Sequence, residues 1–259
     1  GIYQMRAPGP ATLIPVLVDN SSNVQAAVAP DRTHIAFSSS RGGTFDLYLM
    51  DPDGQNLRRL TSGPANEGEP AWTPDGTRII YTATSGTNTQ IASIAIDGSD
   101  NRQLTTASGG NHSPSVSPDG KSIAFVSARE GNHAIYTMNL DGTNQRRLTK
   151  GSARETSPEF GRSGDLFYVV ERGGNSKGSK VLRIAMPGGG TSQVLQTEDP
   201  IVSLTVSRDG GRLIYVVGRI RDAAKGRAES GLYLQSLTPG TAPVAIPLQP
   251  GEQVLTPSF

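Results

Sequence analysis

The chain has 259 residues, no cysteine, a formal net charge of +1 and many glycines and prolines, 31 and 18 respectively. The lack of cysteine excludes disulfides and thiolate metal sites, and the balanced charge gives no reason to expect a nucleic-acid partner. No apolar run is long enough to cross a bilayer, so we expect no membrane insertion. The composition favours short strands joined by tight turns.

From the N-terminus, the first predicted elements are two strands, residues 2–5 and 13–17, joined by the turn Pro8-Gly9-Pro10. They align with the third and fourth strands of the units that follow. At the other end, residues 256–259 align with the first strand of a unit. We therefore predict that residues 1–18 and 252–259 share one composite blade, which closes a ring and removes the open sheet edges.

Between these ends the chain repeats one unit five times, and a tight turn marks each copy. The second residues of the turns lie at positions 31, 75, 119, 163 and 209, so the steps are, by subtraction, 44, 44, 44 and 46 residues. Three turns begin with Pro-Asp, at Pro30, Pro74 and Pro118, and the last two are degenerate. A period of about 40–45 residues is typical of a propeller blade.

Each copy contains four predicted strands, which we letter A to D. In the third copy they are residues 113–117, 122–126, 135–139 and 146–149. The Asp-Gly pair between strands A and B supplies the positive φ angles of a tight hairpin turn. Strand D carries Arg146 and Arg147, and charged side chains suit the outer edge of a blade. Trp72 takes a strand A position that is valine or phenylalanine in the other copies, so we expect it in the core between blades.

The repeat predicts an all-β fold, a six-bladed β-propeller of four-stranded antiparallel blades, closed by N- and C-terminal strands that share one blade. We predict a single propeller domain over residues 1–259 and leave open additional domains in the full-length protein. The five whole blades span approximately residues 22–62, 66–106, 110–150, 154–197 and 200–248.

The copies resemble the Pro-Asp-Gly, WD-repeat-like repeat of the bacterial TolB-like β-propellers. The phrases that carry the resemblance are residues 114–121, 123–125, 135–139 and 146–149. The resemblance implies a non-catalytic, periplasmic or secreted propeller that docks a protein or peptide over the mouth of its channel. Similar blades occur in enzymes, so two alternatives stay open. One is the propeller domain of a larger prolyl-oligopeptidase-like peptidase or related hydrolase, and the other is a lyase-like propeller with a channel metal.

In an antiparallel meander the A–B and C–D turns lie on one face, and the B–C and D–A loops lie on the other. The second face varies most among the copies, and variable loops on a rigid scaffold commonly carry binding residues. We predict a channel mouth on this face that binds through Glu67, Glu69, Asn111, His112, Arg154, Glu155 and Asp199. We also predict a basic rim from the B–C loops: Arg129, Arg172, Arg219, Arg221 and Arg227.

The sequence does not suggest a catalytic centre. Only three histidines are present, and of these only His112 is near the predicted mouth, whereas a transition-metal site needs several converging ligands. A Gly-x-Ser-x-Gly pattern occurs once, at residues 174–178, but it falls in a predicted B–C loop and not at the strand-to-helix turn of a nucleophile elbow, so we assign no catalytic residue and no cofactor. The alternative to a chain without a cofactor is a site for Ca²⁺ or Mg²⁺, which prefer oxygen ligands. The carboxylates available for such a site are Glu67, Glu69, Glu155 and Asp199.

Overall fold

The computed structural model describes residues 1–6, 12–171, 178–207, 209–222, 227–238 and 240–246. Within these ranges every regular element is a β-strand, and no helix there is long and apolar enough to cross a membrane. The chain forms two compact units, residues 1–150 and residues 151–259. The predicted all-β architecture of four-stranded antiparallel blades is confirmed in both units.

The first unit contains one two-stranded sheet and three four-stranded sheets. The two-stranded sheet pairs β1 (Ile2–Arg6) with β2 (Thr12–Leu17). Blade one contains β3 (Asn23–Val28), β4 (Ile35–Ser39), β5 (Asp46–Met50) and β6 (Arg58–Arg59). Blade two contains β7 (Asn66–Trp72), β8 (Arg78–Ser85), β9 (Asn88–Ala95) and β10 (Arg102–Gln103). Blade three contains β11 (Asn111–Val116), β12 (Ser122–Ser127), β13 (Ala134–Asn139) and β14 (Arg146–Arg147).

The second unit contains two further four-stranded antiparallel sheets with the same sequential strand order. Blade four contains β15 (Glu155–Phe160), β16 (Leu166–Glu171), β17 (Ser179–Ile184) and β18 (Thr191–Gln196). Blade five contains β19 (Ile201–Val206), β20 (Arg212–Asp222), β21 (Arg227–Ser236) and β22 (Val244–Ile246). All five sheets are meanders, because each strand pairs with the next one along the chain.

The prediction of six blades is not confirmed, since the described residues form five four-stranded sheets. The N-terminal half of the predicted composite blade is present as the β1–β2 sheet, where Ile2, Val16 and Leu17 pack against the apolar side chains of blade one. Its other half, residues 252–259, lies outside the described residues. The closed single domain over residues 1–259 therefore stays a prediction.

The outer strands of blades one to three have two residues each, whereas the sequence predicted four. The reason is a buried threonine just beyond each short strand. The backbone N–H of Leu47 donates to Thr61 Oγ1 over 2.9 Å, and that of Ile91 donates to Thr105 Oγ1 over 2.9 Å. A hydroxyl thus replaces the ladder bond that a longer outer strand would make, and the N–H remains satisfied.

Apolar side chains fill the spaces between neighbouring blades. Tyr81 belongs to a cluster shared with blade one, while Ile80 belongs to a cluster shared with blade three. Successive side chains of a strand point to opposite faces, so blade two is buried on both sides. Trp72 packs against the first of these clusters, and its Nε1 donates to the carbonyl oxygen of Ala27 over 2.9 Å, as expected for a residue between blades.

The aspartate of each Pro-Asp-Gly turn holds its own turn together. Asp75 Oδ1 accepts hydrogen bonds from Thr73 Oγ1 (2.6 Å) and from the N–H of Thr77 (3.1 Å). These bonds, the Thr73 hydroxyl foremost, lower the pKa of Asp75. Gly76 has φ +71°, a left-handed conformation that suits glycine. The uniform turns therefore have a structural role.

Candidate functional site

An irregularity recurs at the same place in strand A of four blades. Its positions are Gln25, Glu69, Ser113 and Ser157, whose φ angles are +56°, +51°, +53° and +50°. The strand pairing shifts register around each of them, and successive positions differ by 44 residues, by subtraction. Non-glycine residues in the left-handed region cost about 1–3 kcal/mol each, so the surroundings must stabilise these bulges.

Hydrogen bonds from blade to blade supply that stabilisation in the first unit. The N–H of Glu69 donates to Gln25 Oε1 over 3.0 Å. Glu69 in turn accepts from Ser113, whose N–H lies 2.7 Å from Oε2 and whose hydroxyl lies 2.9 Å from Oε1. The hydroxyl of Thr82 also donates to Glu69 Oε2, over 2.7 Å. The carboxylate is thereby fixed in position, and it joins the inner strands of blades two and three.

Two residues before each bulge, strand A carries a buried polar side chain. These residues are Asn23, Glu67, Asn111 and Glu155, which are 3%, 7%, 0% and 4% exposed. At such low exposure their polar atoms need partners within the protein. Between blades two and three the partner on the neighbouring blade is neutral, since Asn111 Nδ2 donates to Gln90 Oε1 over 3.0 Å.

Between blades one and two the same positions are occupied by acids. Glu67 replaces the asparagine, and Asp46 replaces the glutamine and forms an ion pair with Arg59 over 2.8 Å. Among the described residues, Asp46 Oδ1 and Glu67 Oε2 are buried without a hydrogen-bond partner. Burial raises the pKa of Glu67, and the charge of Asp46 raises it further against an opposing hydrogen bond from Thr61. This interface carries an excess of buried acid.

A cavity of about 470 Å³ lies at these two rows of residues, within the first unit. Its apolar walls are Val24 and Phe45. Its polar walls come from three successive blades and comprise Gln25, Ser38, Asn66, Glu67, Glu69, Thr82, Thr84, Thr89 and His112. The sequence-predicted mouth residues Glu67, Glu69 and His112 are therefore brought together, and the buried Asn111 precedes His112 directly.

His112 forms one wall of the cavity. Its Nδ1 lies 3.0 Å from the hydroxyl oxygen of Ser113, the residue that also binds Glu69. The ring centroids of His112 and His133 are 5.5 Å apart, in an edge-on arrangement. The imidazole is therefore positioned by blade three and adds a titratable group to the acidic lining.

The predicted rim residue Arg129 is anchored within its own blade. Its Nη2 donates to Asn111 Oδ1 and its Nε donates to Ser127 Oγ, each over 2.8 Å. Of the remaining rim residues, Arg172 lies outside the described residues. Arg219, Arg221 and Arg227 lie in strands β20 and β21, and their side chains are outside the described part.

The remaining predicted mouth residues belong to the second unit. Arg154 is exposed and forms an ion pair with Glu171. Glu155 is the buried first residue of β15. Asp199 is half-buried, and its carbonyl oxygen accepts a hydrogen bond from Thr197 Oγ1 over 2.7 Å.

Over the described ranges, no group of three or more histidine, aspartate and glutamate side chains is placed to hold a metal ion. Both carboxylate oxygens of Glu69 already accept hydrogen bonds. The sequence analysis missed Asp46 and the threonines of β8 and β9. Asp46 occupies the position that Gln90 and Ala134 occupy in the next two copies. A charged residue at the start of an otherwise apolar strand could have indicated this site.

The four-stranded antiparallel blades and their regular strand A bulges define a chain of the β-propeller class. The family model described as the TolB beta propeller domain matches residues 15–127 and, again, residues 105–240. These matches cover most of the chain, which therefore belongs to the family of TolB β-propeller domains.

A sequence match to curated proteins, over a short part of their length, agrees with this membership. The Tol-Pal system protein TolB of Anaeromyxobacter dehalogenans (strain 2CP-C) is 46% identical over 44 residues, which are 17% of this chain and 10% of that protein. The chain thus matches about a tenth of the length of its curated relatives.

Two solved structures show the likeness of fold. TolB from Acinetobacter baumannii superposes with a TM-score of 0.72 at 23% identity, over 87% of this chain and 54% of that chain. A puromycin-hydrolysing peptidase of Mycobacterium tuberculosis superposes with a TM-score of 0.67 at 14% identity, over 90% of this chain and 39% of that chain. Both likenesses concern the fold alone.

Proposed function

We propose that this chain is a non-catalytic, TolB-like propeller that docks a protein or peptide over its channel mouth, on the face of the B–C and D–A loops. The cavity carries the proposal. Most of its lining residues have polar side chains, its walls come from three blades, and it collects Glu67, Glu69 and His112. Membership of the TolB propeller family supports a protein partner, because the curated relatives are Tol-Pal system proteins.

The rigidity of the cavity walls is consistent with this role. Glu69 is fixed by hydrogen bonds from Thr82 and Ser113, and its backbone N–H is fixed by Gln25. A site held in place before binding loses less conformational entropy when a partner arrives. In the proposal, Asn111 supports this wall from behind, while the binding roles of Arg154, Glu155 and Asp199, which belong to the second unit, stay a prediction.

The proposal also places the protein outside the cytoplasm. Its family and its Tol-Pal relatives support a periplasmic location, and secretion from the cell is the alternative. The lack of cysteine is compatible with either compartment.

Site-directed photocrosslinking in the native host tests the docking face. A photoreactive phenylalanine is placed at Ser62, in the D–A loop before blade two, and at Thr87, in the B–C loop of blade two. Both residues are exposed. We expect both positions to give covalent adducts with the same protein.

The matched controls carry the probe on the opposite face, at the exposed residues Thr77 and Lys121 of two Pro-Asp-Gly turns. These are expected to give no adduct with that protein. Equal adducts at all four positions, adducts at the turns alone, or none at Ser62 and Thr87 would each count against docking on the cavity face.

A further inference from the structure

The cavity of the first unit contains a charge that its own walls do not neutralise. All the donors to the Glu69 carboxylate are neutral, namely the hydroxyl of Thr82 and the N–H and hydroxyl of Ser113. Within the described part of the chain, no lysine or arginine forms an ion pair with Glu69. A carboxylate that is partly removed from water attracts a cation more strongly than one in bulk solvent.

A second acid contributes to the same wall. Glu67 is more than nine-tenths buried and contributes to the cavity lining. Its Oε2 has no hydrogen-bond partner among the described residues. A buried acceptor without a partner is costly, so a donor that reaches this oxygen would recover part of that cost.

Comparison of the blades shows which group is missing. In blade one, Arg41 Nη2 donates to Asn23 Oδ1 over 3.1 Å. In blade three, Arg129 Nη2 donates to Asn111 Oδ1 over 2.8 Å. At the equivalent position of blade two, 44 residues from each arginine by subtraction, the chain has Ser85. Among the three blades of the first unit, blade two is thus the copy that has an acid in place of the asparagine and lacks the arginine.

The remaining walls suit a long side chain with a charged end. A volume of about 470 Å³ falls in the lower part of the range of small-ligand pockets. Val24 and Phe45 can contact an aliphatic stem, while Thr84 and Thr89 add hydroxyl groups. We propose that this cavity receives a cationic side chain, lysine or arginine, from the chain that docks on this face. The proposal rests on the docking function and names the chemistry of the group that enters.

Pairs of small probes test this proposal directly on the intact chain. Nα-acetyl-lysine methylamide is titrated and compared with Nα-acetyl-norleucine methylamide, which has a similar stem without the charge. The amide resonances of the cavity residues are followed by NMR. We expect saturable shifts with the lysine probe and affinity about tenfold weaker with the norleucine probe, as for loss of a charge-assisted hydrogen bond. The arginine and citrulline methylamides form a second pair with the same expectation.

Three variants assign the effect to the cavity. Glu69→Gln keeps an acceptor for Ser113 but removes the charge, and it is expected to weaken lysine binding about fivefold or more. Thr89→Lys leaves Glu69 and its donors untouched and is expected to fill the cavity with an ammonium group of the chain itself. The control is Glu130→Gln, because Glu130 is exposed and pairs with Arg147 over 2.9 Å and is not part of the cavity lining. The control is expected to bind like the parent chain.

Equal affinity for the lysine and norleucine probes would overturn the proposal, as would undiminished lysine binding by both Glu69→Gln and Thr89→Lys. This failure is distinguishable from failure of the docking function. Adducts at Ser62 and Thr87 without lysine binding would support docking and contradict the entry of a cationic side chain into the cavity. Lysine binding without such adducts would leave a cation pocket on a face that docks no protein.

Discussion

The guanidinium of Arg129 lies over two aromatic rings of its own blade, with Cζ 5.5 Å from the ring centroid of Phe125 and 4.7 Å from that of Tyr136. Its nitrogens donate to Ser127 and Asn111, and burial lowers the pKa of Arg129. The sequence places Arg129 in a loop. It does not show whether a loop arginine is held by its own blade or is available to a partner. The rings and hydroxyl that bind it lie on strands, and their proximity appears only in three dimensions.

Loss of this anchored arginine should destabilise the first unit. We expect Arg129→Ala to lower the free energy of unfolding by about 2–3 kcal/mol, because it removes charge-assisted hydrogen bonds and a cation–π contact. Trp72 is the only tryptophan of the chain and lies in the first unit, so its fluorescence during urea unfolding gives the measurement. The control Arg146→Ala changes an exposed residue and should stay within about 0.5 kcal/mol of the parent. Equal stability of the two variants would contradict the anchoring role.

At the scale of elements, the chain builds the same blade interface twice with different chemistry. Between blades two and three, Gln90 and Asn111 share hydrogen bonds through their amides. Between blades one and two, Asp46 and Glu67 occupy those positions, and carboxylates have no N–H to offer each other. Asp46 and Arg59 alter the pKa of Glu67, and the charge of Glu67 contributes to the raised pKa of Tyr81. Glu69 and His112 line the same cavity as Glu67.

This difference predicts a dependence of stability on pH. The pKa of Glu67 is higher in the folded chain than its ordinary value of 4.5, mainly because of burial. The folded state therefore binds this proton more tightly, and the stability it contributes is complete below about pH 4.5 and is lost as pH rises through the folded-state pKa. We expect Glu67→Gln to match the parent in acid and to exceed its unfolding free energy by about 1 kcal/mol in mild alkali.

Urea unfolding across this pH range, followed by Trp72 fluorescence, provides the measurement. For the control Glu130→Gln, the difference in unfolding free energy from the parent should change with pH in the opposite direction. The nearby Tyr136 hydroxyl and the ion pair with Arg147 lower the pKa of Glu130, so the stability that Glu130 contributes is present above its ordinary pKa and is lost as pH falls. If the stability of Glu67→Gln ran parallel to that of the parent at every pH, the buried-acid interpretation would be wrong.

The elements themselves were largely predictable from sequence. Strands A, B and C were located because Pro-Asp-Gly turns and apolar alternation recur every 44 residues. The outer strands were predicted too long, because Leu60 and Thr61 have strand-like side chains, and the hydrogen bond that the Leu47 N–H donates to the Thr61 hydroxyl oxygen depends on packing. The bulges at Glu69 and Ser113 were not predicted, since neither is a residue type that favours positive φ.

At the scale of the whole molecule, the repeat period and the family agree on a propeller of TolB type. Of the predicted site, Glu67, Glu69 and His112 meet because they lie near the start of strand A in two successive blades, Glu67 and Glu69 in blade two and His112 in blade three, after D–A loops that place them on one face. The cavity walls from β8 and β9 could not be predicted in the same way, because the turn signal Ser85-Gly86 does not show that the two strands stay paired as far as the turn.

Hydrogen–deuterium exchange of the whole chain, alone and with the protein that crosslinks to Thr87, tests the central claim most directly. We expect the partner to slow amide exchange in residues 62–69, 84–89 and 110–113, which form the cavity and its loops, and to leave residues 73–77 and 117–121 of the opposite turns unchanged. Slowed exchange concentrated in those turns, with the cavity residues unaffected, would contradict docking on the cavity face.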